Sequence, residues 1–442
     1  MLYSNKDLRK LIIPLVFEQL LAILVGMVDV VMIAGVGEAA VSGVSLVDTV
    51  NILVINVTAA LATGGAVVAG HFLGQKDTAS ASRSAWQLLL FSAWLSLLVT
   101  IIFIAAHKPM LRLIFGQVEQ AVMDNAVTYL IITAMSICPL AIYNACAALM
   151  RAMNDSRTTM KIAVIMNLIN VTGNALLIYG VKIGVAGAAI ATTTSRIVAA
   201  VMILFLMFRK DKPISFRGQF TLKMDFCLVK RILYIGVPNG LENSLFQLGK
   251  ILLLSLISTF GTYAIAANAV CNTLASFNVL PGQAINLALI SVASMCIGAG
   301  DYEQTRYYTR KLMRLSIVCT IGLSAFMIVG APFIMEVYHL SPQAKELAVQ
   351  VIRWHALLAV FFWMPSFTLP NTLRAAGDVV WTMIIAISSM WIFRIGFAYL
   401  FSKFTNLGLL GVWIAMTIDW AFRALCYEIR YHGKRWQKFG AN

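Results

Sequence analysis

Charge is scarce in this chain. Of 442 residues only 12% are Asp, Glu, Lys or Arg, against 60% hydrophobic, and the mean hydropathy is +0.83. Soluble domains carry about 25% charged residues, so a water-facing globule is excluded. Cysteine is sparse as well. The 7 Cys are scattered, mostly in apolar runs, without a CxxC or His-rich spacing, which argues against a disulfide framework or a zinc site. The five His residues, at 71, 107, 339, 355 and 432, are dispersed, and no nucleophile–base pair is readable. Polar connections are short and leave no room for a soluble catalytic domain, so an enzyme is not expected and no cofactor is called for. A cleavable leader is not expected either: the first apolar run is too long for a signal-peptide core.

What the chain does have is long apolar runs. Each run of about 20 such residues suffices to cross a bilayer core of roughly 30 Å as a helix. The sequence predicts an all-α integral membrane fold of twelve helices, near 9–34, 48–72, 85–107, 124–150, 159–180, 184–208, 228–257, 264–297, 311–331, 345–373, 380–402 and 408–428. An even number puts both termini on one side. Most of the 34 Lys and Arg fall on that side. Positive charge prefers the cytoplasm, so both termini are expected there, with the protein in the plasma membrane. The net charge of +15 is thereby explained as topology and lipid-headgroup contact, not nucleic-acid binding.

The chain also says several things twice. "LMRAMNDSRTTM" returns as "TLRAAGDVVWTM", 223 residues on, so that Arg151 and Asp155 recur as Arg374 and Asp378. Pro14 and Glu18 recur as Pro238 and Glu242, and "GEAAVSGVSLV" lies over "GTYAIAANAVC", at an offset of 224. "GQKD" (74–77) matches "GDYE" (300–303) with a two-residue insertion, and "GVAGAAIATT" matches "GLLGVWIAMT". The reading is two homologous six-helix lobes, 1–208 and 232–442, joined by a basic cytoplasmic linker at 209–231. Parallel repeats of this kind suit a transporter working by alternating access. The Arg and Asp of the two corners are expected to cap and clamp the turn into the next helix, with gating as the other reading.

Ionisable residues inside a membrane are expensive and therefore informative. Glu18 and Asp29 share one face of the first helix, about 16 Å apart. The fifth carries Asn167, Asn170 and Asn174 at i, i+3, i+7, a polar stripe that would either pack against neighbours or supply neutral oxygens to a cation beside Asp29. In the second half Glu242, Lys250, Arg394, Asp419 and Arg423 fall within helices. Glu242 is read either as paired with Lys250 or Arg394, or as a carboxylate that takes a proton or a cationic substrate. Arg394 stands at the repeat position of Asn170, so the lobes are chemically unequal. Pro139, Pro281, Pro365 and Pro370 interrupt long apolar runs and allow bends.

"GMVDVVMIAGVG", the "MRAMND"/"LRAAGD" pair, "GVAGAAIAT" and "PNGLENSLFQLGKILLLSLISTFGTYAIAANAV" together resemble the multidrug and toxic compound extrusion (MATE) transporters over essentially the whole chain. The resemblance implies two six-helix lobes forming a V, and export of organic cations in exchange for Na⁺ or H⁺. It also implies roles for particular residues. Asp29, Asn144, Asn170, Asn174 and Thr192 match the cation site of the first lobe, although related members often have Asp where this chain has Asn174. Glu242 matches the glutamate of a subgroup that uses the second lobe. The aspartate that accompanies it there is missing from "AVFFWMPSF", so Glu242 would have to work with Asn243, Gln283 or other polar groups, and Arg394 is counted with them as a candidate for the second-lobe site. The expected partners are small organic cations or amphipathic drugs and the bilayer itself; no metal is implied beyond Na⁺, and a monomer is expected. The rival reading is a flippase for a lipid-linked saccharide.

Overall fold

A computed structural model describes residues 2–116 and 119–439, and no strand occurs among them. Met1 and residues 440–442 lie outside the described residues, so the expected lobe ends at 1 and 442 fall beyond them. The first half contains α1 (Asn5–Ala34), α2 (Glu38–Gly74), α3 (Thr78–Ala105), α4 (Gln120–Ala134 and Ile137–Ala152), α5 (Ser156–Gly180) and α6 (Gly184–Met207). The second contains α7 (Phe226–Ser258), α8 (Thr262–Asn278 and Leu280–Gly298), α9 (Tyr302–Val337), α10 (Pro342–Ala375), α11 (Val379–Phe404) and α12 (Gly408–His432). Among the described residues eleven spans are long and apolar enough to cross a membrane alone, and α4 makes a twelfth if its two pieces, bent by 48°, are one span. Large apolar side chains such as Val31, Phe205, Val318 and Phe333 stay exposed, as lipid-facing residues should.

The prolines mark the irregularities. Pro139 follows the bend of α4, and Pro281 opens the second piece of α8, where its missing N–H leaves no bond unmade. At Pro365 the backbone of α10 widens to π geometry over Met364–Thr368, and Pro370 stands at the start of the segment that resumes α-helix. A short helix, His107–Phe115, lies between α3 and α4; its Leu113 is exposed and its Leu111 buried.

The chain divides into two compact units, one running Tyr3–Gly240 and the other beginning at Leu241. The basic stretch 209–231 packs with the first. Trp86 Nε1 donates to the Thr221 carbonyl at 2.9 Å, Gln87 Nε2 to that of Lys223 at 3.1 Å, and Asp225 pairs with Arg83 at 2.7 Å. The boundary between units therefore falls within α7.

The repeated corners share a backbone device. After α4 and α10 the chain turns through Asn154 (φ 63°) and Gly377 (φ 87°), in the left-handed region that Gly and Asn tolerate best. Asp155 N–H then reaches back to the Met150 carbonyl at 2.9 Å, and Asp378 N–H to that of Leu373 at 3.0 Å. Asp155 caps α5 by accepting from Thr158 N–H, as the sequence suggested, and is held by Lys212. Burial works against its ionisation, but Lys212 and Thr158 outweigh burial and hold the carboxyl below its ordinary value. Since the folded state lowers this value, the tie is complete above it and is lost as pH falls through the folded range. Asp378 makes no such cap; Arg430 of α12 grips it at 2.6 and 3.0 Å.

The corner after α2 corrects the alignment of the halves. Lys76 (φ 61°) and Gly300 (φ 74°) take the same conformation, and the next residues, Asp77 and Asp301, both cap a helix. Lys76 therefore matches Gly300 and Asp77 matches Asp301, so the offset of 224 runs through without the expected insertion.

Close packing within the Tyr3–Gly240 unit depends on small residues. A Cβ at Gly64 would lie 2.6 Å from the Ile232 carbonyl oxygen, whereas one at Gly322 would meet nothing within 4 Å. Gly64→Val should therefore destabilise the protein by about 1–3 kcal/mol, read as a lower unfolding temperature in detergent, with Gly322→Ala as the control. Equal unfolding temperatures for the two variants would contradict this packing.

Candidate functional site

α1 carries Asp29 to a partly open cavity of about 160 Å³ in the first half, with Ser45, Asp48, Tyr129, Asn174 and Thr192 also on its wall. Asn174 Nδ2 donates to Asp29 Oδ1 at 2.8 Å. Asn170 is oriented by its neighbours: its amide nitrogen donates to both Asp29 oxygens, at 2.9 and 3.2 Å, and its oxygen accepts from Thr192 Oγ1 at 3.1 Å. Four of the five residues matched to the cation site thus meet around one carboxylate. Asn144 does not line this cavity; its amide donates to Thr58 Oγ1 at 3.3 Å. The stripe on α5 works because residues four apart lie on one helical face. Just beyond Asn174 the helix widens to π geometry over Ala175–Gly180, a local irregularity often found at functional sites.

Asp48 was not among the sequence candidates. The reading began the second helix at Asp48, at a membrane edge, but α2 begins at Glu38 and so carries Asp48 about 15 Å inward. Tyr129 and Asn51 are within hydrogen-bonding reach of its carboxylate. Arg196 of α6, given no role from the sequence, acts electrostatically on both Asp48 and Asp29 while donating to Ser136 Oγ at 2.8 Å. Two carboxylates thus lie in the electrostatic field of one guanidinium that contacts neither as an ion pair, leaving about one negative charge when both are ionised. The buried Oδ1 of Asn174 has no hydrogen-bond donor, so an unused neutral oxygen sits beside the carboxylate.

Glu18 and Glu242 belong to a different arrangement. Glu18 faces Arg151 at 3.5 Å and accepts from Thr159 Oγ1 at 3.1 Å. Glu242 is gripped by Arg374 through both oxygens, at 2.6 and 2.7 Å, and Arg374 also holds Asn371 Oδ1 at 3.1 Å. The repeated arginines therefore tie α4 to α1 and α10 to α7, and do not clamp the turn that follows them. Glu242 pairs with neither Lys250 nor Arg394, and Asn243 and Gln283 make no hydrogen bond to it among the described residues. The structure does not assemble Glu242, Asn243, Gln283 and Arg394 into one site.

Arg394 lies elsewhere. It stands 3.9 Å from Asp419 Oδ2, but the other oxygen of Asp419 is held by Arg423 at 2.9 Å and by the Ser389 hydroxyl. Arg394 and Lys250 together line a second cavity, of about 290 Å³, within the second half.

Comparison with known proteins gives concordant results. The family model described as MatE matches residues 14–176 and 238–400, one copy on each half. The "Probable multidrug resistance protein NorM" of Thermotoga maritima is 25% identical over 438 residues, which cover 98% of this chain and 93% of that protein. The "Probable multidrug resistance protein YoeA" of Bacillus subtilis is 26% identical over 417 residues, 91% of this chain and 87% of the relative. A solved structure described as the outward-facing conformation of a multidrug resistance MATE family transporter of the MOP superfamily superposes with a TM-score of 0.92 at 21% identity, over 99% of this chain and 97% of that one.

Removing one member of a buried ion pair strands the other charge, at a typical cost of about 3–5 kcal/mol. Arg374→Met should therefore lower the unfolding temperature in detergent markedly. Arg151→Met, from the longer pair, should lower it less, and the double variant Glu242→Gln/Arg374→Met should recover part of the loss. An Arg374→Met protein as stable as wild type would show that the Glu242 pair is not holding α7 to α10.

Proposed function

Because the chain belongs to the MatE family, we propose that it is a secondary active exporter of cationic or amphipathic organic compounds, driven by inward flow of Na⁺ or H⁺ through Asp29. The observation that carries this reading is the Asp29 cavity: a carboxylate caged by Asn170 and Asn174, a second carboxylate, Asp48, on the same wall, and a buried Asn174 oxygen without a donor. A proton would neutralise one carboxylate. A small hard cation such as Na⁺ would draw on several oxygens at once, and Asp29, Asp48 and Asn174 supply them.

In this account the coupling cation and the drug compete. Binding of the cation shifts the population towards a state of weaker drug affinity, and by linkage the drug weakens cation binding by the same factor. Glu242 is held by Arg374, which supports assigning coupling to the first half. The protein would sit in the plasma membrane with both termini cytoplasmic, exporting outward.

The test is extrusion of a cationic dye by purified protein in liposomes, with Na⁺ and pH gradients imposed separately. Asp29→Asn is expected to abolish gradient-driven extrusion, a loss of at least about tenfold, the factor equivalent to about 1.4 kcal/mol. Asp48→Asn should weaken it, and Glu242→Gln should leave the gradient dependence in place. Gradient-driven export that survives Asp29→Asn and fails in Glu242→Gln would move the coupling site to the second half.

A further inference from the structure

The cavity of the second half is the repeat counterpart of the Asp29 cavity. At the offset of 224, Gly26 is replaced by Lys250, Asp29 by Leu253, Asp48 by Asn272 and Asn170 by Arg394. Lys250, Leu253, Asn272 and Arg394 all line the second cavity, and the first three stand where their counterparts line the first. Two carboxylates have been lost at these positions and two cations gained.

The charge is not balanced locally. Lys250, Arg394 and Arg423 all face the ring of Phe246, at 5.2, 5.2 and 5.4 Å from its centre. Against these three cations stands Asp419, fully buried, with Oδ1 taken by Arg423 and Ser389 and Oδ2 facing Arg394 at 3.9 Å; Glu242 also acts on Arg423 but is neutralised by Arg374. Lys250 has no ion-pair partner among the described residues, and the buried Nε of Arg394 has no acceptor. Further donors face the same space. The Asn268 oxygen accepts from Trp413 Nε1 at 3.1 Å, which leaves its NH₂ for the cavity. Leu253, Leu254, Ile257 and Met416 supply apolar wall around this cationic end. Lys250 is exposed and Arg394 half-buried within the protein, but excess charge on membrane-spanning helices is costly unless something pairs with it.

We propose that this second cavity binds the anionic head, carboxylate or phosphate, of an amphipathic organic molecule. The head is held by Lys250 and Arg394, and its apolar part lies against the leucine and Met416 wall. The inference does not rest on coupling at Asp29.

The test measures binding of 2-naphthoate, with 2-naphthylmethylammonium as the cationic control, to full-length protein in phosphatidylcholine nanodiscs. Naphthoate is expected to bind wild type. Lys250→Met and Arg394→Gln should each weaken it about tenfold, as expected when one charge-assisted hydrogen bond is lost. Lys250→Arg should retain binding, which separates lost charge from lost fold, and the ammonium control should be insensitive to all three substitutions. A parallel arm asks whether phosphatidylglycerol, added to the discs, displaces naphthoate and is retained by wild type in native mass spectrometry. If it is retained by wild type and lost in Lys250→Met, the occupant is a lipid headgroup; if it is neither retained nor competitive, the occupant is a free organic anion. Naphthoate affinity unchanged by Lys250→Met and Arg394→Gln, with lipid retention equally unchanged, would overturn the proposal. So would wild type that binds neither naphthoate nor phosphatidylglycerol.

Discussion

Nearly every polar feature of this protein follows from the cost of holding a charge away from water. Ionised groups in a low-dielectric interior must find partners or lose their charge. Glu242 with Arg374, Asp378 with Arg430 and Asp419 with Arg423 meet that demand with short contacts, and Glu18 with Arg151 meets it more loosely. Each of these pairs except Asp419–Arg423, which lies within α12, also joins two helices or locks one helix to its neighbour's turn. Their charges are spent on structure. What remains after these pairs are set aside is the chemistry open to function: Asp29 and Asp48 against one arginine in the first half, and Lys250 and Arg394 in the second.

The two remainders have opposite sign, and they occupy matching places in a duplicated fold. Duplication kept the scaffold: the proline and glutamate of α1 and α7, the left-handed corners after α4 and α10, and the Glu–Arg tie in each half. The cavity walls diverged instead. Packing and backbone constraints act on both copies alike, because a clash or an unpaired carbonyl is costly wherever it occurs. A cavity wall is free of those constraints, so its charge could change without loss of the fold.

Much of this was legible in the sequence, for reasons that also mark the limits. Twelve apolar runs, the duplication and the Asn170–Asn174 pair on α5 could be read because length, offset and the i, i+4 spacing follow the chain itself; Asp29, 145 residues from Asn174, was matched to them by the family resemblance. Asp48 was missed because a helix edge was placed ten residues late, which turned a half-buried, cavity-lining acid into an interfacial one. The partner of Glu242 was misread because Arg374 lies 132 residues away, and pairing at that separation depends on tertiary packing. Asn144, matched to the cation site by resemblance, turned instead to Thr58. Arg394 at the position of Asn170 was visible as an inequality between halves. Its cavity emerged only once Lys250 and Asn272 were placed on the same wall.

The central claim is that Asp29 and Asp48, offset by one arginine, leave a single exchangeable cation in the first half. The most direct measurement is the ion released when a cationic substrate is added to weakly buffered detergent-solubilised protein. Proton release would be followed with a pH indicator and Na⁺ release by displacement of radioactive Na⁺. The account predicts that substrate displaces either a proton or a sodium ion from wild type, and that Asp29→Asn/Asp48→Asn releases neither. Undiminished release from that double variant would contradict it.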